Sequence, residues 1–67
     1  MNKIDLLKKL EEMIHSYITD AEVSNELIKN ITPTQIKYIL AGLESNKIKE
    51  YTLEDKEWIK DIYFYFC

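Results

Sequence analysis

Few groups in this 67-residue chain could make or break bonds: one imidazole, His15, one thiol, Cys67 at the last position, and twelve scattered carboxylates. A catalytic site needs a nucleophile, base or metal held in a pocket by a second group. No such pairing is legible. His15 falls near the boundary between the polar and apolar arcs of its helix, where a half-exposed packing residue sits. Glu11-Glu12 and Glu54-Asp55 are sequence neighbours, which sets each pair about 100° apart on a helix instead of converging. Gly42 is the sole glycine, so a Gly-rich phosphate loop is ruled out. One cysteine gives no intramolecular disulfide, and with one histidine it builds no cysteine-based metal site. The expectation is a chain that is not an enzyme, uses no cofactor and no metal, and acts by binding.

Apolar groups left outside the helical core stripes are the candidates for that binding. Trp58 and Tyr65 project to one side of the core stripe of the last helix, and Ile62 joins them to it at the i, i+4, i+7 spacing, while Phe64 points to another side. One helix in so small a domain has little room to bury Trp58, Tyr63, Phe64, Tyr65 and Phe66 together, so part of this aromatic area is expected to face a partner. Trp58 closing the core is the competing reading. Tyr38 lies on a second face with Ala41 and Ser45, and with Gly42 alongside, where small residues would let another helix approach closely. An ordinary solvated face is the alternative there. The partner-binding residues expected from sequence are therefore Trp58, Ile62, Phe64, Tyr65 and Tyr38.

Charge narrows the partner class. Twelve acids oppose nine bases for a net charge of −3; every base is lysine, and no arginine is present to grip phosphate or guanine in bidentate fashion. Nucleic acid is thus an unfavourable partner. Acids that mimic DNA are a further reading, but the acids alternate with lysines (Lys8, Lys9, Glu11, Glu12; Glu54, Asp55, Lys56, Glu57), the pattern of a solvated helix face. No apolar run approaches the roughly 18 residues of a spanning helix, and Met1-Asn2-Lys3-Ile4-Asp5 lacks the features of a signal peptide, so a cytoplasmic protein with no membrane contact is expected.

The elements that must position these groups are helices. Ile4, Leu7, Leu10, Ile14, Tyr17 and Ile18 repeat along one face of a helix over about 3–19. Thr19 with Glu22 reads as a capping box for a helix over 20–29, with Val23, Leu27 and Ile28 inward. With no Gly or Pro between these two segments, one long bent helix is the alternative. Thr32-Pro33-Thr34-Gln35 reads as a second capping box, with Pro33 at the first helical position and Ile31 and Ile36 as a hydrophobic staple, opening a helix over 33–46 whose inner face is Ile36, Ile39, Leu40 and Leu43. Thr52 caps a helix over 53–66, with Ile59, Ile62, Tyr63 and Phe66 as its stripe. Residues 61–66 fit a strand equally well. The expectation is an all-α fold, a compact bundle of three to four short helices in a single domain, 1–67. A chain of this length buries only about 60% of its unfolded surface, so self-association into a homo-oligomer is expected to supplement the core.

Val23 to Gly42 resembles a helix-turn-helix, with Asn30-Ile31-Thr32 as the turn; the resemblance implies base-reading positions at Thr34, Gln35, Lys37 and Tyr38. Asn30-Ile31-Thr32-Pro33 followed by Ile36-Lys37-Tyr38-Ile39-Leu40 is similar to the start of the second helix of the Sin-type antirepressors and oligomerisation hairpins, which regulate sporulation and biofilm genes, and Asp55-Lys56-Glu57-Trp58-Ile59 is similar to the first. The two helices stand here in reverse order, and no functional residue carries over. The expected function is a small acidic protein-binding regulator or inhibitor, of the kind encoded by phages and mobile elements, that occludes a partner protein. A small helix-turn-helix DNA-binding transcriptional regulator is the alternative.

Overall fold

Asn2, Asp20 and Thr52 mark three of the four helix starts, because each presents a side-chain oxygen to otherwise free backbone N–H groups. In the structure, a computed structural model describing residues 2–67, these starts open α1 (Lys3–Tyr17), α2 (Ala21–Lys29) and α4 (Leu53–Phe66), and α3 (Ile36–Asn46) lies between the last two. Asn2 accepts from Asp5 N at 3.0 Å, Asp20 from Glu22 N at 3.0 Å and Val23 N at 3.2 Å, and Thr52 from Asp55 N at 3.0 Å. The all-α bundle expected from sequence is what forms. Residues 61–66 are helical, and α1 and α2 are separate helices, since Ile18 turns extended (φ −120°, ψ 122°).

Two of the expected caps are corrected. Asp20, one residue beyond Thr19, caps α2, because its carboxylate reaches two N–H groups at once. At Thr32-Pro33-Thr34-Gln35 the Gln35 N–H donates to the Thr32 carbonyl at 3.0 Å, and α3 begins only at Ile36 with no side-chain cap. Proline's fixed φ suits the second position of a β-turn as well as the first position of a helix, and here it serves the turn.

The core is built around α1, which touches all three other helices. Leu6, Leu10, Met13, Ile14 and Tyr17 are buried, with Ile18, Leu27, Ile36, Ile39, Leu40, Leu43 and Ile62 against them. The inner face of α3 is the expected one. That of α1 is rotated: Leu6 and Met13 are core residues, Leu7 is half-buried and Ile4 is 63% exposed. Flanked by neighbours on several sides, α1 buries a wide arc that keeps Leu10, Ile14, Tyr17 and Ile18 of the expected stripe and leaves Ile4 and Leu7 at or beyond its edge. On α4, Tyr63 is exposed and does not join the expected stripe with Ile59, Ile62 and Phe66. Gly42 does admit a close neighbour, and the neighbour is internal: a Cβ at position 42 would stand 2.6 Å from Leu27 Cδ2 of α2.

Candidate binding surface

The first turn of α4 is fixed by Tyr17, whose phenol is buried at the far end of α1. Its hydroxyl donates to Asp55 Oδ2 at 2.7 Å and accepts from Thr52 N at 3.0 Å, so one side chain engages both the cap residue and the carboxylate beneath it. Lys9 Nζ stands 3.4 Å from Asp55 Oδ1 and 5.6 Å from the centre of the Trp58 ring. Desolvation raises the Asp55 carboxyl, but the Tyr17 hydrogen bond, together with Lys9 and Thr52, outweighs it and holds the group below its ordinary value. The Tyr51 ring meets Tyr17 edge-on at 5.0 Å between centroids, and burial pushes the Tyr51 phenol up.

With its start pinned in this way, α4 runs antiparallel to α1 and carries its aromatic end to the Leu6 region. Phe64 and Tyr65 border a concavity of about 240 Å³ together with Leu6 and Asp61. Phe64 is 90% exposed, Tyr65 52% and Tyr63 45%. Tyr65 is held edge-on against the half-buried Phe66, with centroids 5.1 Å apart.

The five residues expected to bind a partner therefore do not form one patch. Phe64 and Tyr65 stand together on the surface. Ile62 is a correction: it is fully buried, because the same i, i+4, i+7 row that links it to Trp58 and Tyr65 crosses the line where α4 meets the core. Trp58 is half-buried against that core. Tyr38 is exposed on α3, in a groove shared with α2. Exposed Leu53 and Ile48, both outside the expected surface, are further apolar groups open to solvent, as is Ile4.

His15 and Cys67 are exposed, and among the described residues no three His, Cys, Asp or Glu side chains converge as metal ligands. Among the same residues no buried side-chain nitrogen or oxygen lacks a hydrogen-bond partner, and no helix is long and apolar enough to cross a membrane. Compared with known protein families, with curated proteins and with solved structures, the chain finds no match in any of the three.

Proposed function

We propose that this chain is a small protein-binding regulator or inhibitor, which covers a surface of its partner protein with the C-terminal half of α4. The observation that carries the reading is the pairing of a nearly fully exposed Phe64 with the half-exposed Tyr65 beside a concavity that Leu6 and Asp61 complete. Folding leaves that aromatic area in water, and aromatic side chains that enter a partner's pocket dominate binding energy. The same surface serves self-association, which adds burial to a core this small. Acidity and an exposed aromatic surface on a short helical bundle associate the chain with the inhibitors that phages and mobile elements direct at host proteins, a link of association and not of physics.

The helix-turn-helix alternative has weaker support. Thr34 and Gln35 belong to the turn before α3, and Glu22 and Glu26 flank Tyr38 where phosphate would approach. The deciding experiment is a pull-down with tagged protein. A partner retained by the parent chain and by Lys8→Ala or Glu12→Ala, but released by folded Phe64→Ala and Tyr65→Ala variants, supports the α4 surface. Retention by both aromatic variants, with release by Thr34→Ala, Gln35→Ala and Lys37→Ala, overturns it in favour of α3.

A further inference from the structure

We infer that the groove between α2 and α3 is a second docking site, whose occupant is a basic segment of a partner protein that lays an arginine or lysine side chain along it. The groove encloses about 430 Å³ and is separate from the α4 aromatic end. Its floor is apolar: half-buried Val23, buried Leu27 and the Cβ-less Gly42. Gly42 contributes to this shape, since a Cβ there would stand 2.6 Å from Leu27 Cδ2 and the Leu27 side chain would have to shift to admit it.

The rim sets the chemistry. Glu22 and Glu26 stand at i and i+4 on α2, which places both carboxylates on one face of that helix. Tyr38 forms the opposite wall with its ring half-exposed. Among the described residues no lysine lines the groove, so its negative charge is not answered from within it. An arginine or lysine side chain matches these features in order along its length: an aliphatic stem for the apolar floor, and a cation that reaches two carboxylates and an aromatic ring. An acidic or purely apolar segment would leave the carboxylates desolvated without a counter-charge.

The test is an amide-resonance titration of the labelled full chain with a synthetic amphipathic peptide carrying leucines and arginines, and with its counterpart in which glutamates replace the arginines. Shifts centred on Glu22, Glu26, Tyr38 and Gly42 with the arginine peptide alone, weakened by salt, are expected. The Glu22→Gln/Glu26→Gln variant should lose at least about tenfold in affinity, whereas Glu12→Gln/Glu57→Gln should bind as the parent does. Both glutamine pairs lie on exposed positions and should keep the parent's helical signal. Equal binding of the glutamate peptide, unchanged affinity in the Glu22→Gln/Glu26→Gln variant, shifts confined to the α4 aromatic end, or no shifts at all would each overturn the proposal. Because the α4 variants leave this groove intact, failure at either surface is read independently of the other.

Discussion

Tyr17 and Asp55, 38 positions apart, share a 2.7 Å hydrogen bond that joins the end of α1 to the first turn of α4. The Tyr17 hydroxyl also receives the Thr52 N–H, so this one buried phenol both donates and accepts across the α1–α4 junction. Tyr17→Phe should therefore destabilise the fold by about 1–3 kcal/mol, the range for losing a hydrogen bond to a charged group, here part-buried. Urea unfolding measures it. A midpoint within error of the parent would show that water replaces the hydroxyl without cost.

The same contact sets a pH dependence. Asp55 is held below its ordinary value of 3.8, so folding favours its charged form. A depressed carboxyl contributes stability that is present above the unfolded value and is lost as pH falls through the folded one. Stability should accordingly decline in the acid range around and below 3.8. Asp55→Asn should be less stable at neutral pH and show a shallower acid decline, followed by thermal melts across that range. A parallel decline in both proteins would assign the acid sensitivity to other carboxylates.

Helix starts give a paired comparison. Thr52 accepts the Asp55 N–H, whereas the Thr32 side chain faces only the Thr34 hydroxyl at 3.4 Å and caps nothing. Thr52→Ala should cost about 1 kcal/mol, as cap removals do. Thr32→Ala should fall within about 0.5 kcal/mol of the parent, like other surface changes. The reverse order in chemical denaturation would restore Thr32 as the start of α3.

Gly42 and Leu27 should behave as a coupled pair. In the parent, Gly42→Ala gains helix propensity worth about 1 kcal/mol but drives a methyl against Leu27 Cδ2. In a Leu27→Ala background the collision is gone and only the gain remains. A double-mutant cycle should yield a coupling of about 0.5–3 kcal/mol, with Gly42→Ala better tolerated in the Leu27→Ala background than in the parent. Additive effects would mean that Leu27 turns aside freely.

What the sequence determined by itself was the class of fold and most of its grammar. The Thr52 cap and the Ile36, Ile39, Leu40 and Leu43 face of α3 are local properties, set within one or two helical turns, and each stands in the structure as read. Tertiary structure decided whatever depended on a neighbour. The arc of α1 that turns inward, with Leu6 and Met13 in and Ile4 out, follows from α1 packing against three helices at once, which no periodicity within α1 encodes. Proline at position 33 is compatible with a turn and with a helix start, and the folded chain takes the turn, closed by the Gln35 N–H on the Thr32 carbonyl. Ile62 and Phe64 are both apolar, two positions apart, yet one is wholly buried and the other almost wholly exposed. Their opposite sides follow from the roughly 200° between positions i and i+2 of a helix, and the packing of α4 on α1 decides that the Ile62 side faces the core. Tyr17 is the clearest case: its spacing marked it as a core residue, and only the fold brings Thr52 and Asp55 to its hydroxyl, because the partners of a buried polar group are chosen by the chain that returns to it.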